Sequence, residues 1–326
     1  MSSATLIPVA SGKGGVGKTF LTAGLAVALA QKGFRTLAVD LDLGGSNLHS
    51  FLGFPNRHPG IGDFLKARVS DLPSLVVPTG VPNLSLLTGE GRTPFMANLP
   101  YAQKQRLIRE LRSLTADYIL MDLGAGTNLD TLDFFRMTPR GLAVTTPEFP
   151  SIMGMLGFLK HCCLRTVVRT AAGKPLLKEV IMDLFKRPMT GGRLTMRKIL
   201  EETRRVDPEA AAVLQEALER FRPRVVFNMG RHPDELSLTR KIDESLRNVL
   251  SIEADHFGFV FEDPAVRRSV RQGTLFLPAH GDSPAGQGLI RVAERIARFW
   301  NLEIPDSAAR IRGAVAAAFE EGTGAG

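Results

Sequence analysis

The sequence predicts an α/β fold in which a mostly parallel, doubly wound sheet is covered by helices on both faces. Three observations support this prediction: apolar strands alternate with helical patterns, polar motifs follow the strands, and a glycine-rich loop lies between the first strand and the first helix. Apolar strands that alternate with helices are typical of parallel sheets buried on both faces. Ligands of such sheets bind beyond the carboxyl ends of the strands.

Six segments have the apolar character of buried strands. They are "TLIPVA" (5–10), "RTLAVDLD" (35–42), "DYILMDLGAG" (117–126), "GLAVTTPE" (141–148), "RVVFNMG" (224–230) and "HFGFVFED" (256–263). Two shorter candidates are "SLVV" (74–77) and "NLSLL" (83–87). Helical patterns follow the glycine-rich loop and recur at 100–114, 128–137, 151–169, 234–248 and 283–300.

The loop at 12–19 reads "GKGGVGKT" and fits the pattern G-x-x-x-x-G-K-[ST] of phosphate-binding loops. It follows a predicted strand and opens a predicted helix, which is the context that the pattern requires. Its glycines allow consecutive backbone N–H groups to surround phosphate oxygens. We expect Lys18 to contact the β- and γ-phosphates of a nucleotide and the Thr19 hydroxyl to ligate Mg²⁺. The predicted sheet is therefore that of a P-loop NTPase.

Aspartates at two strand ends offer the oxygen ligands that Mg²⁺ prefers. Asp122 follows "YILM", where it is placed to hold waters of the cation, and Asp40 ends its strand near the same cation. Asp42 lies two residues beyond Asp40, so strand alternation gives both carboxylates the same face. Gly124 and Gly126 permit a mobile loop that senses the γ-phosphate.

A second lysine, Lys13, lies inside the glycine run, where the phosphate cradle does not need it. With it, "KGGVGKT" resembles the deviant Walker A motif of the MinD/ParA ATPases, a family of the SIMIBI class. "DLDLGGSNLHSFLGF" (40–54) is similar to the switch I of this family, and "DYILMDLGAG" is similar to its switch II strand. "VTTPEFPSI" (144–152) resembles the flagellar-number ATPases, a branch beside MinD, and "DSPAGQGL" (282–289) resembles the start of the last helix of the family. The resemblance covers about 1–160 and 224–300.

The resemblance implies an ATP-dependent homodimer that hydrolyses ATP slowly and positions or regulates cellular machinery such as the division site, flagella, polar complexes or DNA. It implies catalytic roles for Lys18, for Lys13 and for Asp42. Lys13 would cross the dimer interface to the nucleotide of the other subunit, and Asp42 would orient the attacking water. ATP and Mg²⁺ are the implied cofactors, with Thr19 as a ligand and with Asp40 and Asp122 acting through water.

Further contacts of the nucleotide follow from the same resemblance. Asn47 would belong to switch I, Asn228 would read the adenine edge, and Glu148 would approach the nucleotide across the dimer. The expected contacts of the loop are Gly12, Lys13, Gly14, Gly15, Val16, Gly17, Lys18, Thr19 and Phe20. Two positions depart from the family: Phe20 replaces a small polar residue at the α-phosphate, and Phe261 replaces a proline at the wall of the base pocket.

A basic helical block sets residues 151–224 apart from the rest of the chain. This stretch carries 15 Lys and Arg against 8 Asp and Glu, a net charge of +7 out of the chain's +8. We predict a single ATPase domain over 1–306 with a helical insertion at about 161–222, followed by a C-terminal helix and flexible tail over 307–326. The basic cluster of the insertion would face DNA, anionic lipid or an acidic protein, or would be only a solvated surface. It comprises Arg193, Arg197, Lys198, Arg204 and Arg205.

The C-terminal helix leaves three partners open. Its apolar face, Ile311, Val315 and Phe319, could pack on the domain, bind a partner helix or touch a membrane. No run approaches the roughly 20 apolar residues of a membrane span, and no basic region precedes an apolar core at the N-terminus. We therefore expect a cytoplasmic protein, with peripheral association to the inner membrane or the nucleoid left open. An activating protein partner is also expected.

The alternative function is an ATP-dependent metal-cluster carrier or ligase on the same scaffold. A cluster carrier of this kind needs spaced cysteines, commonly C-x-x-C, whereas Cys162 and Cys163 are adjacent and are the two cysteines of the chain. A ligase would need a glutaminase domain or an additional substrate pocket. A tyrosine kinase on this scaffold would carry a tyrosine-rich tail, and the chain has two tyrosines.

Overall fold

A single mixed sheet organises the protein, and the computed structural model describes residues 4–55, 57–89, 99–186 and 194–323. The strands are β1 (Thr5–Ala10), β2 (Thr36–Leu41), β3 (Val77–Pro78), β4 (Leu84–Leu87), β5 (Tyr118–Leu123), β6 (Leu142–Thr145), β7 (Arg224–Gly230) and β8 (Asp255–Phe261). Their order in the sheet is β3-β4-β2-β5-β1-β6-β7-β8. All neighbouring strands are parallel except β3 and β4. The predicted fold class is confirmed.

Helices cover both faces of this sheet. They are α1 (Lys18–Gln31), α2 (Leu48–Phe51), α3 (Ile61–Leu65), α4 (Tyr101–Ser113), α5 (Leu129–Phe135), α6 (Phe149–Thr170), α7 (Pro175–Lys186), α8 (Met196–Val206), α9 (Pro208–Arg220), α10 (Thr239–Ser245), α11 (Pro264–Gln272), α12 (Phe276–His280), α13 (Pro284–Phe299) and α14 (Ser307–Thr323). The helix predicted at 234–248 is divided into a 3₁₀ turn at Pro233–Leu238, α10 and a π turn at Leu246–Leu250. Two apolar cores result, one on each face of the sheet.

Helix α1 is buried nearly all round, because its alanine-rich sequence lets the sheet and α13 approach it closely. Its buried positions include Leu21, Leu25 and Leu29. A Cβ atom at Gly24 would lie 2.6 Å from Leu289 Cδ1 of α13, so any side chain there would require Leu289 to move. This packing holds the first turn of α1 at the centre of the sheet.

The helical block forms a layered extension between β6 and β7. Within its described part, helices α7, α8 and α9 pack on one another and on α6, and no strand interrupts them before β7. Arg193 of the predicted basic cluster falls at 187–193, outside the described residues. The predicted domain boundaries stay predictions.

Helix α6 is the one helix of the described ranges that is long and apolar enough to cross a bilayer, judged by length and composition alone. This differs from the expectation that no run in the sequence approaches a membrane span. One face of α6, which includes Met155, Phe158 and Leu159, is buried in the apolar core against the sheet. Core helices of soluble proteins share this pattern.

An aspartate on α5 joins three helices next to the sheet. The buried Asp133 carboxylate lies 2.9 Å from Lys104 Nζ of α4 and accepts two 2.9 Å hydrogen bonds from Arg165 of α6. Arg169 Nη2 lies 3.2 Å away. Burial alone would raise the pKa of Asp133, but the hydrogen bonds from Arg165 and Lys104 outweigh it and hold the pKa below its usual range. The position of α6 therefore depends on this carboxylate.

We predict that Asp133→Ala lowers the free energy of unfolding by about 3 kcal/mol, because it leaves the buried Lys104 ammonium with one carboxylate partner fewer. Urea denaturation followed by circular dichroism measures this loss. The matched control is Glu216→Ala, which removes an exposed 3.2 Å ion pair with Arg220 and should cost less than about 1 kcal/mol. Equal losses in the two variants would contradict the prediction.

Candidate functional site

The glycine-rich loop connects the end of β1 to the start of α1. Gly15 and Gly17 have φ angles of +83° and +79°, which favour glycine. A Cβ atom at Gly17 would also lie 2.2 Å from the Asn228 Nδ2 atom of β7. The loop therefore takes its turn because these two positions carry no side chain.

The other side of the loop lies directly against α6. A Cβ atom at Gly12 would be 1.9 Å from the carbonyl oxygen of Gly154, so the two backbones touch. The exposed Lys13 side chain runs along the same helix, with its Cγ 3.3 Å from the position of a Gly154 Cβ. Sequence reasoning missed Gly154. A glycine within the helical pattern "MGMLG" was the available signal for a close approach.

The buried end of the loop is held by an ion pair with β5. Lys18 Nζ lies 3.0 Å from Asp122 Oδ1, and both groups are buried. Thr22, which the sequence analysis did not single out, donates a 3.2 Å hydrogen bond to the same oxygen. Burial raises the pKa of Asp122, and the charge of Lys18 and a hydrogen bond from Thr19 partly offset this. Asp122 Oδ2 is buried and has no hydrogen-bond partner among the residues that the structure describes.

Asp40 lies directly opposite Asp122 in the register of β2 and β5. Its Oδ2 accepts hydrogen bonds from Ser46 Oγ at 2.7 Å and from the Leu48 N–H at 3.0 Å. Its Oδ1 accepts one from the Asp42 N–H at 3.1 Å. Burial, followed by the nearby charge of Asp122, raises the pKa of Asp40 from 3.8 to about 7. Asp40 thus shapes the segment predicted as switch I.

The two predicted switch segments meet at the carboxylate of Asp42. Its Oδ1 lies 3.2 Å from the position that a Cβ of Gly124 would take, so the carboxylate faces the end of β5. Gly126, with φ +89°, donates its N–H to the Ser11 carbonyl at 3.0 Å. Asn47 is exposed and lines the same cleft as Asp42. The switch segments and the loop therefore share one edge of the sheet.

Two further predicted contacts, Asn228 and Phe20, line the cleft, and a third, Glu148, does not. Asn228 is buried and donates from Nδ2 to the Val16 carbonyl at 2.9 Å, so it supports the loop from below. The Phe20 ring is buried against Phe276, with ring centroids 5.1 Å apart. Glu148 is exposed at the start of α6 and is not among the residues that line the cleft.

The cleft is open and has a volume of about 1600 Å³. It runs from the loop to the ends of β7 and β8. The described residues contain no group of three or more His, Cys, Asp or Glu side chains that could hold a metal ion by themselves. Mg²⁺ usually keeps several waters and binds through one or two protein oxygens plus substrate phosphates. Thr19 and the unpartnered Asp122 Oδ2 fit that donor set.

The parallel sheet, the glycine-rich loop at the carboxyl end of β1 and the Lys18–Asp122 pair define a P-loop nucleotide-binding protein. Residues 7–276 match the family described as the CobQ/CobB/MinD/ParA nucleotide binding domain. The chain belongs to this family, as the loop motif indicated.

Individual relatives are consistent with this assignment. The chain is 30% identical to the septum site-determining protein MinD of Synechocystis over 220 residues, 62% of this chain and 80% of that protein. The chain spans about half the length of several other curated MinD relatives that it matches. It is similar in fold to MinD complexed with Mg-ADP from Pyrococcus horikoshii, with a TM-score of 0.55, 21% identity and coverage of 91% and 98%. It is also similar to the MinC:MinD complex of Aquifex aeolicus, with a TM-score of 0.57, 23% identity and coverage of 93% and 98%.

The raised pKa of Asp40 predicts that the nucleotide-free protein loses stability as the pH rises. The folded state holds this proton up to a pKa of about 7, whereas the unfolded state releases it near 3.8. The stability is therefore fully present below pH 3.8 and is lost as the pH rises through about 7. Asp40→Asn cannot ionise and should lack this loss.

The measurement is urea denaturation in EDTA at pH 5 and pH 8. Between these values the wild type should lose about 3 kcal/mol more unfolding free energy than Asp40→Asn does. The control is the exposed Asp282→Asn, whose pH dependence should match the wild type. If the unfolding free energies of the wild type and Asp40→Asn change equally between pH 5 and pH 8, the pKa of Asp40 is not raised.

Proposed function

We propose that the protein is an ATP-dependent dimerisation switch that hydrolyses ATP slowly and regulates the placement of cellular machinery, the division site above all. The observation that carries the proposal is Lys13, an exposed lysine inside a phosphate-binding loop whose buried end already has Lys18. The MinD relatives, by their names, determine the septum site, and this supports the division site over flagella, polar complexes or DNA.

Hydrolysis of ATP needs positioning and charge neutralisation more than covalent chemistry. Lys18 would leave Asp122 for the phosphates, and Thr19 with Asp122 would hold Mg²⁺, which supplies charge neutralisation when it is bound. Asp42, half-buried beside Gly124, would orient the attacking water. The nucleotide complex of the Pyrococcus neighbour contains Mg-ADP, and this supports ATP and Mg²⁺ as ligands here.

The surface around Lys13 supports a second copy of the chain as the partner. Phe149 is 73% exposed and Met153 is 44% exposed, one turn apart on α6. Lys13 lies against Gly154 of the same helix. Exposed apolar side chains beside a functional loop are typical of interaction sites. A dimer formed on this face would bring Lys13 and Glu148 towards the nucleotide of the other subunit.

The alternative of a metal-cluster carrier finds less support. Cys162 and Cys163 are fully buried on α6, and burial raises the pKa of the Cys163 thiol to about 12 and that of Cys162 as well. Cluster ligands must be thiolates that can meet across a dimer. Both cysteines belong to the apolar core, and packing there accounts for them better than cluster binding does.

An anionic surface is proposed as a further partner of the dimer, through the basic face of α8. Arg197 and Arg205 form exposed ion pairs with Glu201 at 3.2 Å and Glu202 at 2.9 Å. Arg204 donates to Gln215 at 3.0 Å. Exposed pairs of this kind contribute only about 0–1 kcal/mol, so these arginines can exchange their partners for phosphates. DNA and the inner membrane both remain candidates.

The dimerisation switch predicts distinct behaviour for three variants. With ATP and Mg²⁺ the wild type should become a dimer, and with ADP it should remain a monomer. Lys18→Ala should lose nucleotide-dependent dimerisation, Lys13→Ala should bind ATP but stay monomeric, and Asp42→Ala should accumulate dimer because it binds ATP without turnover. Size-exclusion chromatography with light scattering measures the mass.

The matched control is the exposed Lys66→Ala, which should dimerise like the wild type. An equal mass with ATP, with ADP and without nucleotide would refute the switch. Fast turnover, near the median of about 10 s⁻¹ for enzymes, with a small co-substrate would favour the ligase alternative.

The anionic-surface proposal predicts that reversal of Arg197, Lys198, Arg204 and Arg205 to Glu leaves ATP-dependent dimerisation intact. Sedimentation with anionic liposomes and with duplex DNA should decrease, and wild-type binding should weaken as salt rises from 50 to 200 mM, by about 10³-fold or more if six phosphates are contacted.

The charge-matched control reverses four exposed basic residues outside the block, Arg240, Lys241, Arg247 and Arg298, and should retain binding. If the α8 variant binds both liposomes and DNA as tightly as the wild type does, the basic cluster is only a solvated surface.

A further inference from the structure

The C-terminal helix contributes to the lining of the cleft. The same cleft contains the loop, Asn228 and Met229 at the end of β7, and Phe261 at the end of β8. Ala318 and Phe319 of α14 belong to the same lining. Typical small-molecule pockets have volumes of about 300–1,000 Å³, so the cleft has room for more than the phosphates of a nucleotide.

Two aromatic rings, those of Phe261 and Phe319, line the part of the cleft next to α14. The rings of Phe261 and Phe319 are 5.8 Å apart and inclined by 30°, and both are half-buried. Phe259 supports Phe261 edge-on at 5.0 Å, and His232 meets Phe319 edge-on at 5.0 Å. Phe261 and Phe319 are thus each held by a further ring contact.

Helix α14 packs on the domain through an apolar stripe of Ile311 and Val315, which continues to Phe319. Ile311 and Val315 are 4% and 6% exposed and belong to the apolar core. Residues four apart share one helical face, so Phe319 continues this stripe towards the cleft. Arg312 Nη1 donates to Thr239 Oγ1 at 3.0 Å and adds a polar contact to α10. Packing on the domain is therefore the arrangement of the C-terminal helix.

Met229 lines the cleft directly beside the loop. Met229 has φ +57° and is 37% exposed, and its Cε lies 3.2 Å from the position of a Gly17 Cβ. Phe261 and Phe319 line the same cleft as the loop, so a nucleotide with its phosphates on the loop would have these rings beside it in that cleft. Aromatic side chains stack on every base, because every base has a π face.

We propose that Phe319, with Phe261, forms the subsite for the base of the nucleotide, so that the C-terminal helix supplies part of the nucleotide pocket. This inference rests on the proposed ATP binding and adds a residue to it. Phe261, which departs from the family at the wall of the base pocket, then acts together with a ring that lies 58 residues further along the chain.

Nucleotide binding and the docking of α14 are linked as a consequence. A ligand that contacts α14 binds the docked state more tightly, and by reciprocity it stabilises that state. Bound ADP should therefore slow the amide hydrogen exchange of residues 307–323. Inorganic tripolyphosphate, which has no base, should not slow it.

The direct test compares Phe319→Ala with the wild type by isothermal titration calorimetry, using Mg-ADP and Mg-tripolyphosphate as two ligands. The variant should bind ADP about tenfold more weakly, the loss typical of a stacked ring. Its affinity for tripolyphosphate should be unchanged. Phe319→Tyr should restore ADP binding. Leu302→Ala, which removes an exposed side chain that does not line the cleft, should bind both ligands like the wild type.

Three outcomes would overturn the inference. If Phe319→Ala binds ADP as tightly as the wild type does, Phe319 does not contact the base. An equal loss for ADP and tripolyphosphate would mean that Phe319 acts through the fold. If ADP does not slow the amide hydrogen exchange of residues 307–323, nucleotide binding and the docking of α14 are not coupled. A wild-type protein that binds neither ligand would overturn the proposed nucleotide binding itself, which separates the two failures.

Discussion

The buried ion pair between Lys18 and Asp122 is the contact on which the site depends. It joins the first turn of α1 to β5, next to the centre of the sheet, at an N–O distance of 3.0 Å. A buried pair of this kind recovers its desolvation cost only with good geometry and added hydrogen bonds, and Thr22 provides one of them. The first turn of α1 is therefore tied to β5 by side chains of the protein itself. A nucleotide would replace a carboxylate by phosphates as the partner of Lys18.

The Asp122 carboxylate also affects the pKa of Asp40 on the adjacent strand. Asp40 faces Asp122 in the register of adjacent strands, and two buried carboxylates cannot both be ionised without cost. The pKa of Asp40 rises to about 7 as a result of burial and of this charge. Its three hydrogen bonds hold the segment at 42–48, so the shape of that segment is coupled to the charge state of the site.

Two helices that are distant in sequence, α6 and α14, contribute to the site. Helix α6 touches the loop through Gly154, and the Asp133 cluster fixes α6 to α4 and α5. Helix α14 adds Phe319 to the lining of the cleft. The loop and Phe319 thus come from segments about 300 residues apart in sequence and line one cleft.

The fold class, the six main strands, the loop and its lysines could be predicted from the sequence alone, because each depends on local periodicity or on a short motif. It also placed Asp40, Asp42 and Asp122 at strand ends. The pairing of Asp40 with Asp122, the contact of Asn228 with Val16, the contact of Gly12 with Gly154 and the place of Phe319 in the cleft became visible in the three-dimensional fold. These contacts join residues that are distant in the chain, and strand register and helix docking, which local patterns do not encode, bring them together.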